Sequence, residues 1–138
     1  MSETIEQILL TRGAAVKKIS GSSMWPTLKE DDFATIVATD AYKRGDIVLY
    51  KRGDAYVLHR LIGVGDPCVL RGDNTIAKEF VPRSEILGVL SAVVSDGDSH
   101  GIGSAYFFFR RLYAVITFPF RLVLARFAAK RKNKDKNK

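Results

Sequence analysis

Ala15-Val16-Lys17-Lys18-Ile19-Ser20-Gly21-Ser22-Ser23-Met24-Trp25-Pro26-Thr27-Leu28 carries a strand-like run into a turn. Ala15–Ile19 has strand character, Ser20–Ser23 is small and polar, and Pro26 fixes the backbone just beyond. A serine at such a bend exposes its Oγ while neighbouring backbone N–H groups point toward a substrate carbonyl. Taken alone, Gly21-Ser22-Ser23 is ordinary loop chemistry, so its meaning depends on what surrounds it.

Upstream of this stretch, Thr4 and Gln7 have capping-box spacing, and Ile5, Ile8 and Leu9 fall at i, i+3 and i+4. This predicts a short N-terminal helix within residues 1–13, ending near Gly13. Downstream, runs rich in Val, Ile and Tyr occupy Phe33–Thr39, Ile47–Lys51, Tyr56–Val64, Cys68–Arg71 and Ile86–Val94, with Gly, Pro and Asp between them. The spacing predicts a mainly β fold, a compact antiparallel domain over 14–96. Arg-Gly-Asp occurs at 44–46, 52–54 and 71–73. The first two copies, each between strand-like runs, read as turns rather than adhesion motifs. The stretch 97–104 reads as a Gly/Ser linker, 105–129 as an amphipathic helical segment, and 130–138 as a basic tail without structure.

Charge follows the same partition. The 138 residues carry a formal net charge of +7, yet residues 1–104 sum to −2 and residues 105–138 to +9. The β domain is therefore not a basic, nucleic-acid-type surface, and nucleic-acid binding is disfavoured. Cys68 is the single cysteine, which excludes an internal disulfide and a cysteine-based zinc site. No metal site, cofactor site or phosphate loop is expected. The mixed acidic and apolar N-terminus lacks a basic region and a long apolar run, so neither a secretory signal nor a membrane span is expected there.

Two residues give the serine a chemical context. His59 lies in the strand-like run Tyr56–Val64, and Asp73 in Leu70-Arg71-Gly72-Asp73-Asn74. A serine nucleophile needs a base near neutral pKa, and that base gains from a carboxylate fixing its tautomer. Singly, His59 reads as a half-buried strand histidine and Asp73 as a turn residue. Together with Ser23-Met24-x-Pro26-Thr27-Leu28, Arg44-Gly45-Asp46-Ile47-Val48, His59-Arg60, Gly72-Asp73-Asn74 and Ile86-Leu87-Gly88-Val89, they run in a familiar order. Over residues 15–94 the chain resembles the signal peptidase I superfamily, which also includes LexA-like self-cleaving proteases. Bacterial housekeeping members and LexA-like proteins use a lysine base. His59 occupies that position here, so the closer resemblance is to the ER-type and archaeal-type signal peptidases. The resemblance implies Ser23 as nucleophile, His59 as general base, Asp73 as the residue orienting it, and a substrate bound as an extended strand.

The chain also departs from that family. Membrane signal peptidases carry a transmembrane anchor before the serine box, where this chain has a short polar helix. Many bacterial members place an oxyanion-hole hydroxyl two positions before the nucleophile, where Gly21 stands here. Backbone N–H groups, the Ser23 amide among them, are expected to hold the oxyanion. Only 22 residues precede Ser23 and they contain no Ala-Gly, so LexA-like autocleavage is not expected. A LexA-like regulatory module and a non-catalytic peptide-binding module on the same fold stand as alternatives. His100 lies outside every matched element.

On a helix, Phe109, Leu112, Tyr113, Ile116, Phe120, Val123, Leu124 and Phe127 form one stripe, with Arg110, Arg111, Arg121 and Arg126 on the other side. The longest uncharged run, Leu112–Phe120, is nine residues, where a span needs about 20. Arg121 would add roughly 2.5–3.5 kcal/mol to insertion. The expectation is a helix lying in the membrane interface, arginines toward the headgroups and the Lys-rich tail drawn to anionic lipid. Packing on the β domain or on a second subunit is the alternative. Pro119 is expected to kink or split the helix. These readings place a serine endopeptidase for signal or leader peptides on the cytoplasmic side of the membrane. Were residues 105–129 to span it, the β domain would lie outside.

Overall fold

The protein is described by a computed structural model covering residues 2–136, with side chains as far as Arg126. Helix α1 (Ile5–Arg12) begins where Thr4 and Gln7 exchange side-chain bonds with each other's backbone, the predicted capping box. It stops where Gly13 turns left-handed at φ +75° and donates to the Leu9 carbonyl. Leu9 is thereby delivered into the core.

Eight strands form one antiparallel sheet: β1 (Ala14–Lys18), β2 (Phe33–Val37), β3 (Ile47–Arg52), β4 (Ala55–Gly63), β5 (Cys68–Arg71), β6 (Glu79–Val81), β7 (Ile86–Ser95) and β8 (Asp98–Gly101). A 3-10 turn, Arg83–Glu85, leads into β7. The order is β1-β2-β7-β3-β4-β5-β6, and β8 pairs with β7 beyond the end of β3. The sequence assigned six of these strands, each within two residues at either end. It missed β6 and β8.

The central strand β3 explains the two cores. Ile47, Val48, Leu49 and Tyr50 are all buried, because both faces of the strand are covered. Alternation sends Leu49 into a cluster with Leu9, Leu28, Ile36, Leu58, Leu90 and Val93. Val48 and Tyr50 enter a second cluster on the opposite face with Leu61, Cys68, Leu70 and Val81. The β3–β4 connection is a two-residue turn, Gly53-Asp54, with Gly53 at φ +58°. This is the second Arg-Gly-Asp copy, as expected of a turn.

Residues 97–104 are not simply a linker. Asp96 and Gly97 both have positive φ, 51° and 83°, and form the two-residue hairpin turn that returns the chain as β8. The Asp-Gly signal was present, but the polar run Asp98-Ser99-His100-Gly101 lacks the alternation that marks a strand.

Helix α2 (Ala105–Lys136) runs as one element through Pro119 and onward over residues 130–136, where an unstructured tail was expected. Residues 137–138 lie outside the described residues. It docks on the β domain, as the alternative reading had it, but not through the apolar stripe. Phe107 and Ala114 are buried, and Arg110, Arg111 and Arg121 turn inward, donating to the β domain at the Thr27 carbonyl, Asp73 and the Trp25 carbonyl. These arginines find acceptors on the β domain, while Arg111 stays partly open to solvent. The outward face holds Phe108, Phe109, Leu112, Tyr113, Val115, Ile116, Phe120, Val123 and Leu124, all exposed. Phe127 of the expected stripe lies outside the described side chains.

Leu61 is fully buried between β3 and β5, whereas Leu10 is 86% exposed on α1. Leu61→Ala is expected to cost about 2–5 kcal/mol in denaturant unfolding. Leu10→Ala should stay within about 0.5 kcal/mol of the parent. Equal effects would contradict this placement of the core.

Candidate active site

The β3–β4 register places His59 opposite Val48 and diagonal to Tyr50, all on one face of the sheet. Leu61, two residues on, shares that face, and pairs with Leu70, which pairs in turn with Glu79 on β6. One face of four strands thus gathers His59, Tyr50 and Glu79, although 29 residues separate Tyr50 from Glu79.

Ser23 arrives from the other direction. The chain leaves β1, turns at Gly21 (φ +78°), and coils through Ser22–Leu28 with bonds from the Trp25 amide to Ser22 and from the Leu28 amide to Met24. Met24, Thr27 and Leu28 are buried and anchor this coil. The result sets Ser23 Oγ 3.1 Å from His59 Nε2. Among the described residues, no acceptor takes the Ser23 amide hydrogen. The expected nucleophile and base are brought together.

Asp73 is placed differently. Its carboxylate accepts Arg60 Nε and Nη2 side by side, both at 2.8 Å, the Thr27 hydroxyl at 2.6 Å and Arg111 Nη1 at 3.0 Å. It makes no hydrogen bond to His59. The carboxylate that the resemblance assigned to the histidine is taken up by two arginines, because Arg60 and Arg111 supply forked donors matching its geometry. Burial alone would raise the Asp73 pKa, but the Arg60 bond and charge, the Thr27 bond and the Arg111 charge outweigh it and hold it below the ordinary value.

The second nitrogen of His59, Nδ1, instead lies 3.1 Å from the Tyr50 hydroxyl. Tyr50 donates to Glu79, and Arg52 Nη2 donates to Tyr50 at 3.0 Å and also to Glu79. Burial lowers the His59 pKa, Arg52 lowers it further and Asp73 partly opposes them, leaving it at about 4. The imidazole is neutral at physiological pH, as a proton acceptor must be.

The loop after β5 holds the serine in place. The Asn74 amide donates to the Ser23 carbonyl at 2.8 Å, and the Asn74 side chain to the Ser22 carbonyl at 3.2 Å. Gly72 passes so close that a Cβ there would stand 2.5 Å from the Ser23 carbonyl oxygen and 3.2 Å from His59 Nε2. Beside this pair opens a cleft of about 420 Å³, lined by Lys17 and Ile19 at the end of β1, by Met24 and Leu58, and by Thr75 and Ala77. His100 lies elsewhere, stacked on Tyr106 at 3.7 Å between ring centroids.

With this geometry in view, the Peptidase S24-like family model matches residues 3–91, well over half the chain. The chain belongs to the Peptidase S24-like family. That match covers α1, the strands through most of β7, and all of Ser23, His59 and Asp73. Comparison with curated proteins and with solved structures gives no match. The family includes serine peptidases, and the fold of this member is of the LexA and signal-peptidase kind.

Tyr50 and Glu79 were not singled out from the sequence of this S24-like chain, and Gly72 only as part of the Gly72-Asp73-Asn74 element, with no packing role assigned. Tyr50 was findable, since a two-residue turn at Gly53-Asp54 fixes its diagonal to His59. Glu79 was not, because nothing in Ala77-Lys78-Glu79-Phe80 marks a strand that pairs with β5 and brings its side chain to Tyr50.

Gly72→Ala is expected to cost about 1–3 kcal/mol in denaturant unfolding, since the close neighbour is backbone and cannot swing away. Gly101→Ala, with no atom within 4 Å of the added carbon, is the control and should change stability little. A Gly72→Ala protein as stable as that control would contradict the packing of the loop on the serine.

Proposed function

We propose that this protein is a serine endopeptidase that cleaves an extended signal or leader peptide through an acyl-enzyme while held at a membrane surface. The observation that carries the catalytic reading is the 3.1 Å contact between Ser23 Oγ and the Nε2 of a neutral, buried His59. Ser23 Oγ attacks the scissile carbonyl and His59 Nε2 takes its proton. The amide hydrogen of Ser23, uncommitted among the described residues, is available to the oxyanion. His59 then gives the proton to the leaving amine as the C–N bond breaks, leaving an ester on Ser23. Water attacks that ester, His59 accepts its proton and returns it to Ser23, and the new carboxylate departs.

An extended peptide suits the architecture. β1 is the terminal strand of the sheet, and its end borders the cleft beside Ser23. A substrate adding along that open edge would satisfy its own backbone groups and lay its scissile bond across the serine.

The membrane component rests on α2. Nine large apolar side chains from Phe108 to Leu124 are exposed on one face, while the arginines behind them are used in docking to the β domain. Soluble monomers rarely expose so large a contiguous apolar surface. The +9 charge of residues 105–138 repels a second copy and favours an anionic bilayer. No helix among the described residues is long and apolar enough to cross a membrane, so the helix would lie on the surface.

A fluorophosphonate probe should add to Ser23, read by intact mass and peptide mapping, with labelling lost in Ser23→Ala. In His59→Ala, peptide cleavage should fall by at least about 10³-fold. Unchanged N-termini in a cellular survey of Ser23→Ala, together with no labelling of the parent, would dispose of the peptidase reading. The acid limb of kcat/KM should fall near pH 4 and not near the ordinary imidazole value. In flotation, the protein should bind phosphatidylglycerol vesicles and not phosphatidylcholine ones. Ile116→Asp should weaken that binding at least tenfold, and binding unaffected by this change would remove α2 as the anchor.

A further inference from the structure

We propose that Tyr50, locked by Glu79, is the positioning residue for the His59 base, taking the place that a carboxylate occupies in a Ser-His-Asp arrangement. The inference rests on the peptidase reading above and concerns how its base is held.

Donor counting fixes the direction of each bond. A phenol has one hydrogen to give and two lone pairs to receive with. The Tyr50 hydroxyl gives its hydrogen to Glu79, whose carboxylate is paired with the Arg52 guanidinium and so acts as an acceptor. Arg52 is a donor alone, so its 3.0 Å contact uses one lone pair of the Tyr50 oxygen. What remains at that oxygen toward His59 Nδ1, 3.1 Å away, is a lone pair. Nδ1 must therefore carry the imidazole hydrogen, and Nε2 must be the bare nitrogen facing Ser23 Oγ. The network selects the one tautomer that can act as a base toward this serine.

The surroundings hold that choice in place. Tyr50 is 1% exposed within the second core cluster, so its ring cannot rotate out to water. Burial pushes its pKa upward, with Arg52 opposing, which keeps the phenol protonated and able to donate to Glu79. Glu79 also neutralises Arg52, the cation whose charge opposes imidazolium formation on His59. When His59 takes the serine proton, the Tyr50 lone pair still receives Nδ1–H, and Glu79 supplies the nearby negative charge. Asp73 contributes charge at longer range while its oxygens stay with Arg60, Thr27 and Arg111.

The test compares Tyr50→Phe, Glu79→Gln and Asp73→Asn with the parent in the full chain. Readouts are thermal unfolding, fluorophosphonate labelling rate at Ser23, and kcat, KM and their pH profiles on a cleaved peptide. Tyr50→Phe keeps the ring and removes only the hydroxyl. It should fold and bind peptide with unchanged KM, yet lose about 10²-fold in kcat and labelling rate. Glu79→Gln should lower kcat and move the acid limb further down, because Arg52 is left without its counter-charge. A merely structural role would leave both profiles in place. Tyr50→Phe at parental rate and pH profile would overturn the proposal. So would an Asp73→Asn that keeps parental melting but is as impaired as His59→Ala, which would return the orienting role to Asp73. In either case an inactive Ser23→Ala would show that the peptidase reading survives. A parent that neither labels nor cleaves would show that the peptidase reading itself had failed.

Discussion

The site depends on one cross-strand relationship, the diagonal between Tyr50 on β3 and His59 on β4. A two-residue turn at Gly53-Asp54 sets the register, and a shift of one residue would throw His59 to the other face of the sheet. Everything chemical follows from that register. It buries the imidazole and keeps it neutral, with Nδ1 against a phenol and Nε2 toward Ser23 and the cleft beside it. The serine coil then needs only to be pressed onto that nitrogen. The Gly72–Asn74 loop does so from β5, whose own place is fixed by pairing with β4.

Asp73 and α2 are tied together by the same loop. Arg60 and Arg111 close on one carboxylate, and Arg111 belongs to the helix. Arg121 reaches the Trp25 carbonyl and the Asn74 side chain, so α2 also touches both segments that hold Ser23. The arginines of this helix brace the nucleophile from behind, and its apolar face is left outward. A helix with only a structural role has no need of nine exposed large apolar side chains. The division of faces is what the proposed lipid-surface role of α2 requires.

Much of this was legible in the residues, for identifiable reasons. Six strands announced themselves by β-branched runs between turns, and the α1 capping box by the spacing of Thr4 and Gln7. Ser23 and His59 could be paired because their flanking motifs occur in a known order. What could not be read depends on pairing at a distance. β6 is three residues long, and its position beside β5 brings Glu79 to Tyr50 without any local sign. Asp73 was given to His59 by resemblance, yet Arg60, one residue past the histidine, points from the opposite face of β4 and captures it. Which face of α2 meets the β domain could not be read, because a helical wheel separates its faces without saying which one finds acceptors.

The tautomer and charge of His59 can be read from the ¹⁵N spectrum of its imidazole in the parent protein as pH is lowered. The Tyr50–Glu79 network requires hydrogen on Nδ1 and none on Nε2 at neutral pH, with a titration midpoint near 4. A midpoint close to the ordinary 6.5, or hydrogen on Nε2 at neutral pH, would mean that the buried Tyr50–His59–Ser23 chain does not exist as described.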